Sequence, residues 1–184
     1  MPAEYHFITL WRVEGTRQEV VDVLRDAADL PRWWPSVYLD VRVVEEGDED
    51  GVGRRVDLLT KGWLPYTLRW RFRTTRNDGV DGIELEADGD FAGRGVWSFA
   101  QDGPWVEATY DWRIEARKPL LRRLTWLMRP LFAANHCWAM QRGEESMVLE
   151  LARRRAPNPE VAALVPAPPR PTFRRRRDPD IQGQ

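Results

Sequence analysis

His136 is one of only two histidines in this chain of 184 residues. It falls in a stretch with helical periodicity. Phe132, His136, Met140, Gly143, Met147 and Leu151 lie within roughly a third of the circumference at about 3.6 residues per turn. A histidine on such a face can exchange a proton with a bound molecule near neutral pH, since its ordinary pKa is about 6.5. The plainer reading is a core histidine hydrogen-bonded to a tyrosine or a main-chain carbonyl. His6 alternates opposite to Trp11 in an extended segment and reads as an outer residue. The other conspicuous resource is aromatic: all ten tryptophans lie between Trp11 and Trp138. Each such ring can bury about 150–250 Å², so either the core is unusually aromatic or some rings line a space that is not core.

Other chemistries find little support. Two histidines and one cysteine give no HExxH, no paired CxxC and no coherent ligand spacing, so no metal is expected. The acidic run Glu45 to Asp50 lacks the glutamate that closes a calcium loop. No GxSxG occurs, and Cys137 points about 100° away from His136 on a helix, which argues against a catalytic thiol. Gly47, Gly51 and Gly53 lie beside five carboxylates, and that charge disfavours phosphate binding. Gly143 is costly in mid-helix, by about 1 kcal/mol against alanine. Either the helix passes close to a sheet there, or the missing side chain makes room for a ligand.

The elements that would position these residues are legible. Tyr5, Phe7, Thr9, Trp11 and Val13 share one face of a strand. Thr16 with Glu19 forms a capping box for a helix carrying Val20, Val23 and Leu24. Asp29-Leu30-Pro31-Arg32-Trp33-Trp34-Pro35 reads as a short helical turn. From Val37 to Arg117 the pattern has period two, cut by turn residues at the spacing of an antiparallel meander of six strands. After Pro119 it becomes helical to about Arg155. Pro130 is expected to separate a short basic amphipathic helix, Leu120 to Met128, from a long one starting near Leu131. That short helix suits a lid on the domain, or the surface of an anionic membrane.

Charge is nearly balanced, 28 Lys+Arg against 29 Asp+Glu, which excludes a wholly basic nucleic-acid-binding surface. The balance hides an asymmetry. Residues 153–184 hold eight arginines against three carboxylates, a net of +5, which leaves −6 for residues 1–152. Only Lys61 and Lys118 are lysine, an arginine bias that reads as the codon usage of a GC-rich genome. Half of the fourteen prolines lie beyond Arg155, and residues 156–184 are expected to be a disordered tail. One cysteine cannot form an internal disulfide, no signal peptide is visible, and the arginines at 122, 123 and 129 interrupt the most apolar long window. Together these predict a cytoplasmic protein without stable membrane insertion.

The order β-αα-ββββββ-α, together with local signatures, resembles the START-like, or birch-pollen-allergen-like, helix-grip superfamily (SRPBCC), which includes polyketide cyclase/dehydrase-type proteins. The matching residues are Val13-Glu14-Gly15-Thr16-Arg17-Gln18-Glu19-Val20, then Asp26 and Leu30 to Val37, then Gly95-Val96-Trp97-Ser98-Phe99 with Val106 and Tyr110-Asp111-Trp112, and finally Asn135-His136, Met140 and Gly143. The resemblance covers about residues 5–155. It implies an α+β fold in which a curved antiparallel sheet of about seven strands wraps a long C-terminal helix, with a hydrophobic cavity between them. It further implies a domain over 1–155 that binds a small hydrophobic or aromatic, lipid-like or polyketide-like ligand, with no cofactor and no nucleic-acid partner. Thr9, Trp11, Trp34, Tyr66, Trp70, Tyr110, Trp112, His136, Met140 and Gly143 would then line the ligand site. The alternative is a cyclase, aromatase or dehydratase in which His136, with Tyr110, moves protons. The oligomeric state is left open.

Overall fold

The computed structural model describes residues 3–117 and 125–172. The chain opens with strand β1 (Ala3–Glu14), followed by helix α1 (Arg17–Arg25), a 3-10 turn (Ala27–Asp29) and the short helix α2 (Leu30–Trp33). Six strands follow: β2 (Tyr38–Glu45), β3 (Arg55–Lys61), β4 (Thr67–Asn77), β5 (Gly82–Gly89), β6 (Phe91–Asp102) and β7 (Trp105–Ala116). Helix α3 (Thr125–Arg154) and the short helix α4 (Pro159–Leu164) complete the order. The strands form one curved antiparallel sheet in the order β1-β7-β6-β5-β4-β3-β2, so β1 and β2 are its edges.

Period-two alternation decides which side chains face the helix. In β1, Tyr5, Trp11 and Val13 are buried while Ile8 and Leu10 are exposed. The register carries that face across the sheet, pairing Val13 with Val106, Trp11 with Ala108, Thr9 with Tyr110 and Phe7 with Trp112. Large residues lie opposite small ones. Gly95 pairs with Trp112, and a Cβ on Gly95 would meet the Tyr110 hydroxyl at 2.5 Å and Trp112 Cε3 at 2.8 Å. Only glycine leaves room for both rings.

Thr16 starts α1 with a reciprocal cap: its hydroxyl accepts from the Glu19 N–H at 3.3 Å, and the Glu19 carboxylate accepts from the Thr16 N–H at 2.8 Å. Helix α1 buries Val20, Val21 and Val23. Helix α3 runs along the inner face beside β1, in the same direction. Phe132 packs edge-on against Tyr5, His136 stacks on Phe7, and the Glu144 carboxylate accepts from the Arg12 main-chain N–H at 2.7 Å. At the far end Arg155 donates to Glu19 at 2.7 Å. Met147 and Leu151 are buried, as the helical period requires.

Two expectations are corrected. Pro130 does not separate two helices, because α3 is continuous from Thr125 to Arg154 with Pro130 inside it. The ring removes one main-chain bond near the N-terminal end of the described helix, and Pro130 is exposed there, so the defect is not buried. Residues 118–124 of the expected basic helix lie outside the described residues. Of the expected tail, residues 156–172 carry defined structure, and residues 173–184 lie outside the described residues. Asn158 caps α4 by accepting from the Val161 N–H at 2.9 Å, Pro159 supplies a pre-set φ at the first turn, and Arg153 donates to the Pro166 carbonyl at 3.0 Å. Local capping overrides composition for these few residues.

The α1–α2 elbow is locked to α3 by Glu150, which is 1 % exposed. Its carboxylate accepts from Arg32 at 2.5 and 2.9 Å, from Arg153 at 3.0 Å and from Arg154 at 2.8 Å. Burial alone would raise its pKa, but the arginine hydrogen bonds outweigh burial and hold it down at about 2. Glu19 is also held at about 2, chiefly by the Arg155 hydrogen bond. A carboxyl with a depressed folded pKa stabilises the fold above its unfolded pKa, and that stability is lost as pH falls through the folded value. Denaturant titrations should therefore show stability falling from about pH 4.5 toward pH 2. Glu150→Gln should cost about 3 kcal/mol at pH 7 and flatten that slope. An unchanged slope would remove Glu150 from the account.

Candidate functional site

Between the inner sheet face and α3 the fold leaves two adjoining chambers. The first, of about 160 Å³, lies toward the N-terminal half of α3 among Tyr5, Phe7, Tyr66, Phe132, Asn135 and His136. The second, of about 150 Å³, lies under the β2–β3 loop among Leu30, Ile83, Leu85 and Trp97, with Glu49, Asp50, Arg25 and Arg54 at its rim. Trp34, Tyr38, Trp70, Tyr110 and Met140 line both. An apolar cavity of about 150 Å³ holds a single benzene-sized ring, so each chamber is on that scale.

The walls are built from an aromatic ladder. Tyr110 stacks between Trp97 (4.4 Å between centroids, 20°) and Trp112 (5.4 Å, 20°), and Trp70 packs against Phe91 and Trp112. Polar groups are few. The Trp70 indole donates to the Thr60 hydroxyl at 2.9 Å, while the Trp34 indole N–H is buried without a partner among the described residues. Burial raises the Tyr38 and Tyr110 hydroxyls well above their ordinary pKa and lifts Tyr66 to about 12, so all three are neutral donors at physiological pH.

His136 Nε2 lies 3.3 Å from the Thr9 hydroxyl, and its ring stacks on Phe7 at 4.3 Å and 17°. Loss of water lowers its pKa to about 4, so it is neutral at pH 7. The partner is the Thr9 hydroxyl, not the tyrosine or main-chain carbonyl of the plainer sequence reading. His136 faces the cavity and is also held by that hydroxyl.

Of the residues expected at the site, Trp34, Tyr66, Trp70, Tyr110, Trp112, His136 and Met140 line the chambers. Thr9, Trp11 and Gly143 do not. Thr9 stands behind His136. Trp11 is 1 % exposed and packs against Trp34 and Trp97. Gly143 sits on these two indoles: a Cβ there would overlap Trp34 Cζ2 and come within 2.6 Å of Trp11 Cζ2. Of the two readings of this glycine, close approach of the helix holds and space for a ligand does not.

Sequence reasoning missed Tyr38, Lys61 and Asn135. Asn135 accepts from the Leu64 N–H at 3.2 Å and packs against Gly62, so it fixes the β3–β4 loop at the edge of the first chamber. Lys61 is buried although it follows inward-facing Thr60, and burial lowers its pKa. Alternation assigns it to the outer face, so no periodic signal could have found it. Phe7 and Tyr5 shared the face already recognised in β1. Cys137 is exposed, and among the described residues no cluster of His, Cys, Asp or Glu could hold a metal ion.

No protein-family model matches the chain, and no curated protein is similar to it at a significant level. Solved structures do match. An aromatase/cyclase from Streptomyces sp. R1128 superposes with a TM-score of 0.66 at 16% identity, over 84% of this chain and 97% of that one. Norcoclaurine synthase from Thalictrum flavum, in complex with dopamine and hydroxybenzaldehyde, gives 0.59 at 13%, over 85% and 91%. A START superfamily protein from Mycobacterium smegmatis gives 0.53 at 14%, over 71% and 92%. The chain therefore has the α+β helix-grip fold shared by START-like and birch-pollen-allergen-like proteins.

Gly143→Ala should lower stability, although alanine favours a helix by about 1 kcal/mol. The methyl must displace packed indoles, and overpacking of this kind costs about 1–3 kcal/mol. Equilibrium denaturation checks it, and a gain in stability would show that α3 is not seated on Trp11 and Trp34.

Proposed function

We propose that this protein binds a small hydrophobic ligand carrying aromatic rings in the cavity between the sheet and α3. The observation that carries the reading is the pair of ring-sized apolar chambers sharing one aromatic wall. On that wall stand the few polar groups able to orient a ligand, namely the Tyr38 and Tyr110 hydroxyls and the Trp34 indole N–H. Ligand sites of this kind are mostly apolar with a few placed donors. A buried donor left without a partner costs about 1–3 kcal/mol, so a carbonyl or phenol oxygen on the ligand would be favoured there. The fold relatives include proteins whose names state chemistry on small molecules, which agrees with a cavity put to that use.

An enzymatic reading of the same cavity, as a cyclase, aromatase or dehydratase, gains support from the aromatase/cyclase likeness and from the neutral imidazole of His136. Tyr110 lines both chambers, whereas His136 lines only the first. Among the described residues, the first chamber is lined by His136 and Lys61 as groups able to take a proton and by no carboxylate. This favours binding over acid–base turnover. Oriented confinement of a flexible chain is the contribution the walls could still make to a reaction.

His136→Gln separates the two readings. For a binding protein, calorimetry with a ring ligand such as 2-naphthol should show a change of about 1 kcal/mol, the net scale of one hydrogen bond. For an enzyme, the same change should lower turnover by about 10²–10⁴ with binding nearly intact. The variant also has a signature without ligand. Unfolded chains protonate histidine near pH 6.5, but the folded cavity resists this until about pH 4, so the wild type loses stability as pH falls through that window. His136→Gln should lack this loss, and equal profiles would place the imidazole in water.

A further inference from the structure

The two edges of the sheet are not alike. At β2, the pairing with β3 is broken by register shifts at Tyr38/Asp40 and Val43/Glu45, the kind of irregularity that discourages further pairing. Strand β1 carries no such guard. It pairs with β7 without a shift from Ala3 to Glu14, contains no proline, and is twelve residues long. Its outer face carries two apolar side chains, Ile8 at 68 % exposure and Leu10 at 55 %. A long, regular edge with exposed apolar residues invites another strand.

The main-chain groups available at that edge belong to the even-numbered residues. The Arg12 N–H points outward, where it donates to Glu144, and the alternation of an antiparallel strand gives Leu10, Ile8 and His6 the same direction. Strand β1 ends the sheet with β7 as its one neighbour, so among the described residues no second strand takes these groups. Glu144 closes the edge at Arg12, so an open ladder runs from His6 to Leu10.

We propose that β1 pairs antiparallel with β1 of a second copy of this chain, about a two-fold axis at Ile8, joining the two sheets into one. Self-complementarity along the strand selects this occupant and this register. Outward-facing even residues must oppose each other in a self-pair. With Ile8 on the axis, Ile8 meets Ile8, Leu10 meets His6, and Arg12, which also pairs with Asp102 of its own chain at 3.0 Å, comes opposite Glu4 at both ends. Shifting by one step in one direction sets Glu4 against Glu14 and His6 against Arg12. Shifting the other way leaves Arg12 and Glu14 beyond the ladder. Only the Ile8-centred register covers the apolar pair and matches opposite charges, which cross-strand pairing rewards.

Sedimentation velocity of the full chain between about 1 and about 100 μM tests this, the range in which a small interface should associate. A monomer–dimer equilibrium is expected. Ile8→Lys, at an exposed position, should leave the melting temperature unchanged and abolish the dimer. Glu4→Arg and Arg12→Glu should each weaken association by about tenfold, and the double exchange should restore it. A monomer throughout the range, or a dimer indifferent to Ile8→Lys, overturns the proposal. Failure of the double exchange to rescue the singles overturns the register. Association only with a different protein overturns the second copy as occupant.

Discussion

Helix α3 meets the sheet at one bare point of its backbone, and the rest of the molecule is arranged around that contact. Gly143 lies against the indoles of Trp34 and Trp11, with no space for even a methyl group. Trp34 comes from the C-terminal end of α2 and Trp11 from the edge strand, so one contact ties three parts of the chain together. It also fixes how deep the helix sits. Where the helix presents Met140, His136 and Phe132, side chains hold it off the sheet, and the chambers lie there.

Depth alone would leave the helix free to rotate on the indoles. The Glu150 carboxylate prevents this from one end, accepting from Arg32 on α2 and from two arginines of its own helix. Arg155 reaching Glu19 on α1 and Glu144 reaching the Arg12 N–H on β1 add two further ties. Removing one partner from such a group leaves a buried charge uncompensated, which is why the geometry holds. With orientation set, His136 faces the chamber rather than solvent, and its low pKa follows from that placement.

Much of this was legible in the residues. Strict alternation in β1, β4 and β7 assigned the inner face correctly, because one side of the sheet is buried and a slip of one residue would expose it. Thr16 and Glu19 announced their capping box. The Gly143 alternatives could not be resolved from sequence, because propensity gives the cost of a glycine but not what occupies its place. Trp11, placed on the cavity wall by the family resemblance, is core because α3 approaches it closely at Gly143. Asn158 and Pro159 carried a capping signal for α4 that the surrounding proline and arginine composition obscured. Lys61 is buried against its own strand period, and no one-dimensional pattern contains that information.

The central claim is that rings enter the space bounded by the sheet and α3. Met140 reports on it directly, since its side chain lines both chambers while Met147, one heptad further on, is fully buried in the core. With only four methionines in the chain, methyl-labelled methionine gives a spectrum that can be read residue by residue. Titration with 2-naphthol should move the Met140 methyl resonance strongly through the ring current and leave Met147 nearly still. A saturating ligand that leaves Met140 unmoved, or moves both methyls alike, would contradict the account.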